Sequence, residues 1–331
     1  MQSPIMRKWV AVATIFAVGA AIPLFVQSGY QLRIAMLIWI YAVFGMGFNL
    51  LFGVGGQLSL GQQAFFAIGP YTFALLQTHY GLSLPVAMLA GVVVSALCGL
   101  VIGLPVLRLR THYLAMATLM FAMIVHDVAV RWTDATGGSS GLRIPPPELF
   151  GFRLERMGVY YLILCITGLA YLVQVFVMST HLGRALEAVK TDETAASSLG
   201  INVTRYKISI FVLAAAFAAV AGICYSIVSR QVEPSYSNVA MVVNLLTLAV
   251  VGGLGSRIGP FLGAAIVIVA PQILVGLQEY QTLIYGIGLL VFMIFVPRGL
   301  GGIAERPVGG NGSKSVKAEP PTDALVKAGV R

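Results

Sequence analysis

Glu193, Ala195, Ala196 and Gly200 stand in the longest polar stretch between apolar runs, Ser179 to Lys207, which reads STHLGRALEAVKTDETAASSLGINVTRYK. Four Lys or Arg and three acids gather there in an otherwise greasy chain. The chemistry on offer is recognition, not bond-making. Leu186, Val189, Glu193, Ala196 and Gly200 follow a 3,4,3,4 step, which places them on one face of a helix. That face is small and apolar except for one carboxylate, while Arg184, Lys190 and Asp192 lie away from it. Ala195 and Ala196 let a helix backbone seat closely in a partner's groove, and Gly200 is placed as a left-handed stop before Ile201. Periodicity alone fits equally an amphipathic linker lying on a membrane.

A second set of polar residues lies in or beside apolar runs: Asn49, Gln57, Ser59, Gln62, Thr118, Asn244 and Thr247. Each suits either a solute pathway or hydrogen-bonded glue between helices. Two glycine-broken stretches, 52–71 and 250–261, sit near the ends of such runs, and each contains a Gly-Pro step. A helix starting there would aim free N–H groups at a ligand carboxylate. Tight turns needing unusual dihedrals are the alternative.

Bond-making chemistry has no constellation here. No phosphate-binding loop of the GxxxxGK[ST] form is present, the nearest string being Gly309 to Ser315 in the wrong register. His79, His112, His126 and His181 fall at or near the ends of apolar runs, and no His, Cys or carboxylate cluster has metal-ligand spacing. The expectation is no metal and no cofactor. Asp and Glu are also missing from the middle of every apolar run, where ion-coupled carriers commonly keep them.

The elements that must carry these residues are membrane helices. Apolar residues make up 58% of the 331 and charged residues 10%, against about 25% charge in soluble domains. Mean hydropathy is +0.89. Runs long enough to cross a bilayer fall near Trp9–Val26, Leu32–Phe52, Ser59–Gln77, Leu84–Leu107, Tyr113–Val130, Gly158–Met178, Ile208–Val228, Met241–Gly252, Pro260–Leu277 and Thr282–Val296. The fold class is therefore an all-α polytopic membrane protein with about ten transmembrane or re-entrant helices, eight at the fewest. Ser59–Gln77, with Gly69-Pro70 inside, and the short Met241–Gly252 are the two that re-entrant helices would explain.

The formal charge of +9 is not a nucleic-acid signal, because its placement follows the membrane. With both termini cytoplasmic, Arg7, Lys8, Arg108, Arg110, Arg184, Lys190, Arg205, Lys207 and Arg257 fall inside with the six basic residues from Arg298 onward. Only Arg33, Arg131, Arg143, Arg153, Arg156 and Arg230 fall outside, as the positive-inside rule requires. The first run reads as a retained anchor, too long for a signal peptide. Residues 1–298 form a transmembrane domain, with an external loop at 131–157 and the polar cytoplasmic loop at 179–207. Residues 299–331, rich in Gly, Pro, Ser and Lys, are expected to be a disordered cytoplasmic tail that touches anionic lipid at most weakly. Cys98, Cys165 and Cys224 are spaced as packing residues and form no disulfide framework. Gly99–Gly103, Gly255–Gly259 and Gly259–Gly263 are candidates for close helix contacts.

The polar loop resembles the coupling segment of ABC importer permeases, Glu-Ala-Ala, three residues, then Gly, with Thr194 as one inserted residue. GRALEAVKTDETAASSLGIN is similar to the form found in branched-chain amino-acid permeases of the LivM type. GGQLSLGQQAFFAIGPYTFALL (55–76), LRLRTHYLAMATLMFAMIV (107–125), TGGSSGL (136–142) and VVGGLGSRIGPFLGA (250–264) resemble that family's other segments in the same order. Pro70 replaces the family's usual Ala. The resemblance implies a bacterial inner-membrane permease working with a second homologous permease, two cytoplasmic ATPases that bind the ATP, and a periplasmic solute-binding protein. It implies that Glu193, Ala195, Ala196 and Gly200 engage an ATPase groove and that Arg184 pairs with an ATPase carboxylate. Leucine, isoleucine and valine are the implied solutes, with urea, amides or aromatic acids as alternatives within the family. A stand-alone secondary carrier is the alternative outside it.

Overall fold

A computed structural model describes residues 14–23, 28–109, 111–149, 151–273, 286 and 299–304. The expected span Thr282–Val296 lies outside the described residues except at 286, and the first is described only as the helix α1, Thr14–Pro23. The rest follow in order: α2 (Gly29–Phe48), α3 (Gln62–Tyr80), α4 (Leu84–Val106), α5 (Thr111–Arg131) and a short α6 (Thr133–Thr136). After a small β-layer come α7 (Arg156–Ser179), α8 (His181–Thr191), α9 (Glu193–Ser198) and α10 (Val203–Ser229). α11 (Val239–Gly252), α12 (Gly259–Ile273) and α13 (Gly299–Ala304) complete the described chain.

Among the described residues, five helices are long and apolar enough to cross a bilayer: α2 with its continuation to Val54, α4, α5, α7 and α10. α3, at 19 residues and about 28 Å, has crossing length too, although its ends are polar. α11 has 14 residues and spans only about 21 Å, short of the hydrocarbon core. The chain is a multi-pass membrane protein. Successive helices alternate direction, so one end of the bundle collects residues 49–61, 107–109, 179–203 and 252–259. The opposite end collects 28–33, 131–149, 151–156 and 229–239.

α10 is the hub, packed against α2, α3 and α4. Its partners approach through small residues, because lipid supplies no hydrophobic drive and close backbone packing must hold helices together. On α4 the buried residues after the first are Ala87, Gly91, Ser95, Gly99 and Gly103, one stripe at four-residue spacing. A Cβ on Gly99 would stand 2.9 Å from the Ala215 Cβ, and one on Gly91 would stand 2.7 Å from the Gly69 carbonyl. The outward face carries Val86, Leu89, Val93, Leu97, Leu100 and Leu104, all exposed, as a lipid-facing surface is. Gly259 and Gly263 likewise bring α12 against α11, whereas Gly255 is not helical but turns the chain at φ +80°.

Pro70 lies inside α3, where its missing N–H cannot bond the Phe66 carbonyl one turn earlier. Gly222 of α10 presses against that same carbonyl and against the Pro70 ring, and any Cβ there would overlap Phe66 O. Gly222→Leu is therefore expected to force α3 and α10 apart and cost at least ~1–3 kcal/mol from overpacking. A lower thermal unfolding midpoint of the detergent-purified protein checks this; an unchanged midpoint contradicts the packing.

Two further expectations change. α13 shows that Gly299–Ala304, the start of the expected disordered tail, is helical and packs on α11 and α12, with Gly299 against Gly253. The single helical face from Leu186 to Gly200 is broken at Asp192, whose extended backbone (φ −157°, ψ 113°) separates α8 from α9. The physical reason is capping. The Asp192 carboxylate accepts from the N–H groups of Thr194 and Ala195 at 2.8 and 3.0 Å, which starts a new helix.

Candidate functional site

α8 can leave α7 sharply because Gly183 lies against the Val177 and Met178 carbonyls, each 2.7 Å from where a Cβ would stand. Leu186 and Val189 are buried and fix α8 against the bundle. α9 ends on Gly200 at φ +82°, where the Gly200 N–H donates to Ser197 O and the Ile201 N–H to Ala196 O, at 3.0 and 3.1 Å. These two bonds form a Schellman stop, which glycine alone adopts without strain. Ala196 is buried against its own chain, while Ala195 is exposed. Glu193 accepts from Lys207 Nζ at 2.5 Å, with its side chain still 58% exposed. Arg184 is exposed and donates to His181 Nδ1 at 3.1 Å.

Beneath α8, helix α2 widens into a π-helical turn at Asn49–Val54, which leaves backbone carbonyls off the ordinary ladder. Lys190 Nζ donates to one of them, Gly53 O, at 2.6 Å, and its stem lies on Gly56, which has φ +66°. Asn49, buried, accepts from the Gly255 N–H and donates to Ser256 O, each at 2.7 Å. The two glycine-broken stretches, far apart in sequence, are thereby joined, and α8 is tied to the junction. Around it lies a cavity of about 540 Å³, polar on its walls, between α8–α9, the α4–α5 turn and residues 55–57.

Gln57 lines that cavity and donates to Lys207 O at 3.4 Å. Ser59 is fully buried and accepts from the Gly61 N–H at 3.4 Å. Thr118 of α5 accepts from the Leu60 N–H at 3.0 Å and returns its hydroxyl to the Leu114 and Ala115 carbonyls, which seats residues 59–61 against α5. Gln62, at the start of α3, is buried with neither amide atom bonded within the chain. Asn244 and Thr247 stand one turn apart on α11, away from this junction, Asn244 half-buried and Thr247 buried. Among the sequence-derived candidates, the fold thus gathers Asn49, Gln57, Ser59, Gln62, Thr118 and Glu193 toward one end. Asn244, Thr247 and Arg184 are not drawn into the same network.

Lys190, Asp192 and Lys207 were not among the candidates, and each has a visible job. Asp192 was findable, since an Asp two and three residues before unbonded N–H groups is a cap signal. Lys190 and Lys207 carry no local signal, because their partners are remote in sequence.

At the opposite end, the segment 136–142 is a clamp. Thr136 Oγ donates to Ala129 O and Trp132 O at 2.7 and 2.6 Å and accepts from the Gly138 N–H at 3.2 Å. Gly141 lies against the Val232 carbonyl, and β1 (Leu142–Arg143) pairs antiparallel with β4 (Gln231–Val232). His126 Nδ1 lies 2.9 Å from Pro234 O, so α5 also fixes the 3₁₀ turn Pro234–Ser237. β2 (Glu148–Leu149) and β3 (Phe152–Arg153) form a separate hairpin. Cys98, Cys165 and Cys224 are free thiols on α4, α7 and α10. Among the described residues no group of His, Cys, Asp or Glu is placed to hold a metal ion.

Residues 30–296 match the family described as branched-chain amino acid transport system / permease component. The chain is 35% identical over 311 residues to the high-affinity branched-chain amino acid transport system permease protein LivM of Salmonella typhimurium, covering 86% of this chain and 73% of that one. It is 34% identical over 323 residues to LivM of Escherichia coli K12, covering 90% and 76%. LivH of the same strain is 25% identical over 286 residues, covering 80% and 92%. No solved structure gives a significant match. The chain belongs to the branched-chain amino acid transport permease family.

Proposed function

We propose that this chain is the permease subunit of an ATP-binding-cassette importer in a bacterial inner membrane. With a second homologous permease it forms the pathway for branched-chain amino acids delivered by a periplasmic binding protein. Two cytoplasmic ATPases, which bind the ATP, drive it through α8 and α9. The end of the bundle bearing α8 and α9 faces the cytoplasm, in line with the basic residues that gather there. The similarity to both LivM and LivH supports a pair of related permeases.

The observation that carries this reading is the mechanical link from α8 to the π-turn of α2. A capped helix pair stands outside the apolar bundle, and Lys190 fastens it to Gly53 O. A push on α9 reaches the membrane helices through that strut and through Asn49 to the α11–α12 turn. Glu193, half exposed beside Ala195, is the polar anchor for an ATPase groove, and Gly200 sets the end of the anchoring helix. Gln62, buried and unbonded, is the candidate that most suits a solute pathway completed by the second permease.

The test is ATP-dependent uptake of radiolabelled leucine by proteoliposomes holding the full assembly, with Glu193→Ala beside wild type. The variant is expected to lose ATPase recruitment and to take up leucine at least about tenfold more slowly, the cost of a lost hot-spot contact. Uptake without ATPases overturns the assignment. Wild type that hydrolyses ATP in response to its binding protein yet takes up no leucine overturns the solute alone.

A further inference from the structure

At the end of the bundle opposite α8 and α9, a cavity of about 210 Å³ lies between α2, α3, α10 and the turn after β4. That is below the roughly 300 Å³ at which pockets for drug-sized ligands begin, and it suits one small molecule. Two opposite charges line it, Arg33 from α2 and Glu233 from the β4 turn. They do not pair with each other. Among the described residues Arg33 has no hydrogen-bond or ion-pair partner, and the Glu233 carboxylate accepts only from Ser235 Oγ, at 3.1 Å.

The rest of the lining is mixed: Ser229, Gln231 and Ser235 make much of the surface polar, and four aromatic rings with Met241 supply its apolar part. Phe66, Tyr225 and Tyr236 meet edge to face or tilted, with ring centroids 5.0–5.8 Å apart, and Tyr41 stands 6.5 Å from Tyr225. Tyr236 donates its hydroxyl to Gln231 O at 2.6 Å and lies 2.9 Å from Ser229 Oγ, which fixes the ring in the cavity lining. Burial pushes the Tyr236 phenol above its ordinary pKa, so it stays neutral. A larger cavity beside this one shares Arg33 and adds Arg156 and Arg230, with no acid lining it among the described residues. Three guanidinium groups on that side favour the approach of an anion.

We infer that this cavity is an entry subsite for a zwitterionic α-amino acid with an apolar side chain, its carboxylate on Arg33, its ammonium on Glu233 and its side chain on the aromatic rings. The two charges and the ring surfaces each have a counterpart in such a solute. A guanidinium takes a carboxylate by two N–H bonds, a carboxylate takes an ammonium, and aromatic faces take a branched aliphatic group and favour a cation beside them. The inference rests on the importer reading for its side of the membrane and names the residues that receive the solute there. The clamp at 136–142 acquires a purpose, since it holds the strand that places Glu233.

The test compares Arg33→Gln and Glu233→Gln with wild type in the full assembly, all served by the same binding protein. Leucine uptake is expected to fall at least about tenfold in each, as a site loses the partner of a charged group. ATP hydrolysis stimulated by the binding protein is expected to stay within about twofold, because coupling lies at the other end. The charge swap Arg33→Glu with Glu233→Arg is expected to recover part of the uptake, since a zwitterion can reverse. Equal loss of uptake and stimulated hydrolysis would assign the two charges to docking of the binding protein and overturn the subsite. Unaltered uptake in both single variants overturns it as well, with the importer reading intact. Absence of leucine uptake by wild type overturns both.

Discussion

Lys190→Met is expected to uncouple the protein, with leucine uptake by the full assembly falling about ten- to hundredfold while ATP hydrolysis continues. The magnitude follows from the bond removed. An ammonium donating to a carbonyl at 2.6 Å is a charge-assisted hydrogen bond, worth ~1.5–3 kcal/mol net, and each 1.36 kcal/mol is a factor of ten. Its partner matters more than its strength. Gly53 O belongs to the π-turn of α2, so the bond joins a helix outside the bundle to one that crosses it. Methionine keeps the apolar stem that lies on Gly56 and deletes the ammonium, charge and donor together. Lys190→Arg should recover part of the uptake, because it restores a donor at a slightly different reach. ATP hydrolysis that falls in step with uptake would show that Lys190 serves ATPase binding instead, and unchanged uptake would remove the strut altogether.

Asn49→Leu acts on the next link and is expected to cost stability as well as transport. One amide satisfies the Gly255 N–H and the Ser256 carbonyl, both at 2.7 Å, and leucine can satisfy neither. Two polar groups left without partners in a partly buried turn cost up to about 1–3 kcal/mol each. The crowding around Gly53, where a Cβ would stand 2.5 Å from the Gly255 N, leaves no room for the turn to relax. A total of up to about 2–6 kcal/mol should appear as a lower unfolding midpoint in detergent and as near-complete loss of uptake. Asn49→Asp separates the two bonds. It keeps the acceptor for Gly255 but turns a second oxygen toward Ser256 O, so it should be no better than leucine. If both variants melt with wild type, the two glycine stretches are not held together by this side chain.

Much of the polar segment 179–207 was legible before folding. Gly200 reads as a stop from its place after a helical run, and the structure supplies the left-handed dihedral and both bonds that define one. The continuous face from Leu186 to Gly200 was legible but wrong in one respect. Periodicity counts apolar positions and overlooks a cap, and Asp192 breaks the helix to satisfy two N–H groups. The same narrowness hid most of the α4 stripe. Gly99 and Gly103 stood out as glycines, whereas Ala87, Gly91 and Ser95 complete the pattern only once α3 and α10 show which face is buried.

The sequence by itself determined the membrane class, the approximate ends of most described crossings, and the place of the polar segment that leaves the bundle. Those properties depend on neighbours within one helix, where hydropathy and capping act over a few residues. Only the tertiary structure decided that Lys190 meets Gly53, 137 residues away, and that Asn49 meets Gly255, 206 away. It alone decided that Arg33 and Glu233 share a cavity without touching. Such pairings follow from helix crossing geometry and strand register. No local rule encodes where two distant side chains come within 3 Å of one another.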